Sequence, residues 1–176
     1  MKQIKYFIES LLLFLSVFIF IRCADTDDGS YVSPITISEK TNGDWHLLSI
    51  TQIDETAKKA GLNPSEMFLT DQFEFTTFGI TLNVDVDGNP TSYAVSGNAP
   101  DIFNEQGYWS LDTDFPQTNG TPPTILLYGD AAKTQQAGKL NITSMPGATP
   151  EMELKLTRTS NNVPFVSYQI KLTKTN

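Results

Sequence analysis

Apolar and polar residues alternate in short runs over most of this chain, and the runs recur at regular intervals. EMELKLTR (Glu151 to Arg158) sets Met152, Leu154 and Leu156 on one side and Glu151, Glu153, Lys155 and Thr157 on the other. PFVSYQIKLTK does the same, with Tyr168, Ile170 and Leu172 against Ser167, Gln169, Lys171 and Thr173. Successive side chains of a strand point to opposite faces, so a period of two means a strand with one dry and one wet face. Such strands belong to antiparallel sheets. DWHLLSITQ, DQFEFTT, GITLNVDV, TSYAVS, GYWSLD, TILLYGD and GKLNITSM complete the series, at the spacing of about 8–12 residues typical of all-β domains. The links are short, which predicts an all-β antiparallel meander. Closing it into a barrel of about eight strands removes its exposed edges. The Pro-, Gly- and Asn-rich pieces NAPDIFNEQ, PQTNGTPP and PGATP then become loops at the barrel ends. One short helical segment is expected after the first strand, at Ala57 to Ala60, with Gly61 as its stop and Pro64 just beyond.

The first residues break this pattern. Lys2 and Lys5 precede LLLFLSVFIFI (Leu11 to Ile21), an apolar run interrupted only by Ser16. Its length suits a signal-peptide core, whereas a spanning helix needs about 20 apolar residues. Asp25, Asp27 and Asp28 follow at once, so the charge order exports everything beyond. Residues 1–22 are therefore expected to be a signal peptide.

The only cysteine, Cys23, comes directly after this run. A lone thiol makes no internal disulfide, and a catalytic cysteine needs a structured pocket and a base. The position resembles the lipidated cysteine of bacterial lipoproteins, which becomes the mature N-terminus. The chain departs from that pattern in having Arg22 before the cysteine, where a small residue is usual, and Phe20 three before it. An uncleaved anchor and ordinary cleavage are the alternatives. The resemblance implies lipidation at Cys23, a tether over residues 23–40 and a barrel domain over 41–176. The acidic ADTDDGS also resembles the surface-export signal of Bacteroidetes lipoproteins; a solvated linker is the plainer reading. Both place the protein at the cell envelope, held at the outer membrane through its lipid.

Charge removes one class of partner. The whole chain carries −8, and without residues 1–22 it keeps nine basic and nineteen acidic residues, a net −10. That surface repels phosphate backbones, so no nucleic-acid partner is expected.

NGDWHLLSI holds Gly43, Asp44 and Trp45, the G-x-W pattern of the first lipocalin strand. Arg158 extends the parity of Leu154 and Leu156. An arginine on an apolar face needs a partner, and a tryptophan ring supplies about 0.5–2 kcal/mol as a cation–π contact. With the lipoprotein-like start and the strand series, this resembles the lipocalin-like domains of Bacteroidetes lipoproteins, families that largely lack an assigned function. The resemblance implies that Trp45 and Arg158 form a barrel-closing pair, and that the interior is packed or holds one small ligand.

Candidate chemistry is sparse. In VDVDGNP, Asp85, Asp87 and Asn89 alternate like the start of a calcium loop, but Pro90 and Ser96 stand where glycine and glutamate are required. A hairpin turning at Asp87-Gly88 fits better. His46 is the only histidine, so no two-histidine metal site forms within one chain. Asp112 and Asp114 beside Tyr108 and Trp109 suggest sugar chemistry, but a strand ending in an acidic turn accounts for them. The expectation is a non-enzymatic protein without cofactor or metal. It would bind a small apolar or amphipathic ligand, or a protein partner. The alternative is a β-sandwich accessory module of a glycan-uptake system, with Trp109 or Tyr108 on an open face.

Overall fold

A computed structural model describes residues 30–174 of the chain. The expected signal peptide, Cys23 and the first part of the expected tether lie outside the described residues. The domain forms a compact unit from Ile35 onward. A five-residue helix, α1 (Ile37–Thr41), leads into β1 (Gly43–Asp54), and α2 (Glu55–Lys59) follows directly. The remaining strands are β2 (Glu66–Phe68), β3 (Gly79–Val84), β4 (Pro90–Ser96), β5 (Gln106–Leu111), β6 (Thr124–Tyr128), β7 (Gln136–Ser144), β8 (Glu151–Ser160) and β9 (Val163–Lys174). Every pairing is antiparallel, and β1 bonds to both β3 and β9. Eight strands thus close a ring, with β2 as an extra strand beside the far half of β1. The all-β meander expected from the alternation is what the chain forms, and the closed ring excludes the sandwich.

The ring has a closed end and an open end. At the closed end lie α1, the β3–β4, β5–β6 and β7–β8 connections and the end of β9. Thr36 caps α1 and closes a capping box with Glu39, while Ile37 N–H donates to the Asp114 carbonyl at 2.9 Å. Ile37, Ser38 and Thr41 are buried, so part of the expected tether (residues 23–40) belongs to the domain. Above this plug, Trp45, Trp109, Leu82, Ile80, Ile125, Leu140, Met152, Leu154 and Leu172 fill the barrel. Each such side chain contributes about 1.5–3 kcal/mol by leaving water, and an eight-stranded ring is just wide enough to hold them.

Two departures from the alternation matter for the open end. Leu48 is an unpaired bulge between Leu47↔Leu172 and Ser49↔Lys171. The extra residue flips the parity of β1, so Trp45 and Leu47 face inward before it and Ile50 and Gln52 after it. DQFEFTT, expected as a strand, is instead a turn ending in a 3-10 segment (Phe75–Thr77). Phe73 and Glu74 adopt left-handed φ of 59° and 56°, which no strand contains. Outside the ring, α2 packs against β9 and β1. Glu55 there accepts from Lys155 Nζ at 2.8 Å and from Ser167 Oγ. These two bonds, Lys155 first, hold the Glu55 carboxyl below its ordinary value of 4.5.

Candidate functional site at the open end

The open end gathers the β1–β2, β2–β3, β4–β5, β6–β7 and β8–β9 connections. The rim is sewn into one piece. Leu69 N–H donates to the Ile50 carbonyl at 2.9 Å, and Thr70 Oγ1 accepts from Ile50 N–H at 3.1 Å. The β2–β3 and β4–β5 loops are joined by Asn98, whose side-chain amide donates to the Phe73 carbonyl. Its own N–H donates to Thr77 Oγ1 at 2.8 Å. Gly97 permits this approach: at φ +69° its Cβ would stand 1.8 Å from the Thr77 carbonyl oxygen.

Between these loops lies a cavity of about 440 Å³, within the range of small-molecule sites. Met67, Leu69, Phe73, Phe75, Pro100 and Ile102 supply its apolar walls. Gln52, Gln72, Tyr168, Asp101 and Arg158 supply the polar groups. Phe73 is 68% exposed and Met67 52%, with the Phe73 and Phe75 rings 5.6 Å apart. Large apolar side chains left in water at a concave rim mark a binding surface more often than a structural one.

The expected pairing of Trp45 with Arg158 does not form, because the two residues stand at opposite ends of the barrel. Arg158 is opposite Val166, which is itself opposite Asp54, nine residues along β1 from Trp45. At about 3.3 Å per residue that is roughly 30 Å. The cation over Trp45 is Lys174, with Nζ 5.8 Å from the ring centroid and in register opposite it. Gly43 makes room for this, since a Cβ there would meet Lys174 Cε at 2.6 Å. Trp45 also donates from Nε1 to the Thr41 carbonyl at 2.7 Å. Trp45 is thus fully buried near the closed end, beneath Lys174 rather than Arg158. Arg158 is exposed at the open end, where its Nη2 makes a single long bond of 3.5 Å to the Asp101 carbonyl.

Other sequence candidates resolve into structure. Asp85 accepts from Asp87 N–H, Asn89 N–H and Asn89 Nδ2, which makes the expected β3–β4 turn and holds its carboxyl below the ordinary range, the Asn89 bonds foremost. Asp112 Oδ1 accepts from Thr124 N–H at 2.8 Å, and Asp114 receives α1 through its carbonyl. Trp109 is fully buried, with Nε1 donating to the Asn83 carbonyl at 2.8 Å; it is no sugar platform. His46 is an exposed strand residue opposite Gly79 and Thr173. Among the described residues, no cluster of three or more His, Cys, Asp or Glu side chains could hold a metal. An interior ligand space was expected, but not its place: it opens at the mouth, where Phe73 and Phe75 line it from a turn rather than from a strand.

Fold and cavity together define a small closed β-barrel with one plugged end and one open, apolar-rimmed end. The chain belongs to the family described as domain of unknown function DUF5004, whose profile matches residues 22–173. No curated protein and no solved structure matches it.

Proposed function

We propose that this protein is an exported, lipid-anchored binding protein of the cell envelope. It is non-enzymatic, tethered at Cys23, and takes a small apolar or amphipathic molecule into the open end of its barrel. The observation that carries the reading is the cavity of about 440 Å³ walled by Phe73, Phe75, Met67 and Ile102 on a stitched rim. A rigid scaffold presenting an apolar hollow with a few polar groups is the common form of a small-molecule site. The apolar run directly before Cys23 supports maturation at that cysteine. Lipid chains there would supply the multi-chain insertion that stable anchoring needs.

Native mass spectrometry of the chain purified from its own host tests the binding. A co-purifying small molecule is expected, and it is lost in Phe73→Asn, a replacement that tolerates the left-handed backbone. Absence of any adduct, together with no uptake of an apolar fluorophore, overturns the reading. For the anchor, radiolabelled palmitate is incorporated by the native chain and not by Cys23→Ala. Label retained in that variant removes the anchor from Cys23.

A further inference from the structure

The ladder between β7 and β8 stops short of the open end. Its pairs run from Ser144↔Glu153 to Asn141↔Lys155, although β7 begins at Gln136 and β8 continues to Ser160. Beyond the last pair each strand keeps only its other neighbour. Lys139, Gly138 and Gln136 pair with β6, and Leu156 to Ser160 pair with β9. The unpaired edges therefore present main-chain N–H and C=O groups to the gap. A side cleft of about 270 Å³ occupies it. Small residues keep it open: a Cβ on Gly138 would meet only Leu127 Cδ1, at 3.9 Å.

The side cleft and the mouth cavity differ in charge and share a boundary. Ile102 and Arg158 line both. The side cleft is lined by two cations, Lys139 and Arg158, and by no carboxylate. Neither cation belongs to an ion pair among the described residues, and Arg158 uses one of its five N–H donors in a bond of 3.5 Å. On a chain of net charge −8, this is a local reversal of sign. A guanidinium fork matches a carboxylate, and Lys139 adds a second positive charge to the lining of the same cleft.

We infer that the site takes a single-chain amphiphile with a carboxylate head: the tail fills the mouth cavity and the head enters the side cleft between Arg158 and Lys139. The inference rests on the binding function proposed above and adds the charge and place of the head group. Isothermal titration of the full chain with decanoate, decanol and decyltrimethylammonium, each below its micellar concentration, tests it. Decanoate binds at least about tenfold tighter than decanol, about 1.4 kcal/mol, the size of a charge-assisted hydrogen bond. The variant Lys139→Ala, at a residue that lines the side cleft and not the mouth cavity, brings decanoate toward the level of decanol. It leaves decanol within about twofold, since tail burial is untouched. Gly138→Leu fills the side cleft and has the same selective effect through an uncharged change. Equal binding of decanoate and decanol overturns the head-group assignment while the binding function stands. Tightest binding of the ammonium compound overturns it too, and points to Asp101. No binding of any of the three removes the proposed function along with it.

Discussion

The two ends of the barrel are built from the same kind of strand and finished in opposite ways. At the closed end, large side chains are buried and both indole N–H groups have partners: Trp45 Nε1 on Thr41 and Trp109 Nε1 on Asn83, with the Lys174 ammonium over the Trp45 ring. At the open end, Phe73, Phe68 and Met67 stand in water and Arg158 is nearly unpaired. The closed end is where stability is concentrated, and the open end is where chemistry remains unspent.

The largest effect separating the ends is expected from Trp109→Ala. It empties a fully buried site and lowers unfolding stability by about 3–5 kcal/mol, read from urea denaturation; a loss below about 1 kcal/mol would place the core elsewhere. Gly97→Ala comes next. Its left-handed φ alone costs roughly 1–2 kcal/mol, and the Cβ meets the Thr77 carbonyl, so the β4–β5 loop must move. Expected with that loss is weaker binding of an apolar fluorophore at the mouth, and an unchanged mouth would show the rim is not one stitched unit.

The cations provide a more pointed comparison. Lys174→Met lowers stability by about 0.5–2 kcal/mol through the lost cation–π contact. Arg158→Met leaves it within about 0.5 kcal/mol, as for other surface changes. The reverse ranking, by thermal or chemical denaturation, would restore Arg158 as the closing residue.

The smallest effect is at the outer face, and it depends on pH. Glu55 has a depressed pKa in the folded state, so its contribution is full above its ordinary value of 4.5 and fades as pH falls through the lower folded value. The stability difference between the native chain and Glu55→Gln therefore shrinks on acidification below about that pH. A difference that is flat across the acid range would mean that Lys155 and Ser167 do not hold the carboxylate.

Local pattern made much of the closed end legible. The alternation in β8 and β9, the G-D-W opening and the Asp87-Gly88 turn each depend on neighbours in sequence, and each took the expected form. The capping box Thr36-x-x-Glu39 was equally local and marks the start of α1, yet it sat inside the stretch expected to be a tether. The open end was harder to foresee for two physical reasons. A bulge at Leu48 shifts parity without altering composition, so that Gln52 faces the mouth. The segment Phe73 to Phe75 has the alternation of a strand but must turn back across the rim, which requires left-handed residues that alternation does not encode.

By itself the sequence determined the strand class, the meander order, the buried faces of β8 and β9 and the turn at Asp87-Gly88, because these follow from a period of two and from turn chemistry within a few residues. Only the tertiary structure decided which residues meet across the ring. Closure sets the register of β1 on β9, and that register puts Lys174, not Arg158, over Trp45. It also leaves β7 and β8 unpaired toward the open end, with Arg158 between two hollows. Register between strands more than a hundred residues apart is fixed by packing the whole ring at once, and no local run of residues contains it.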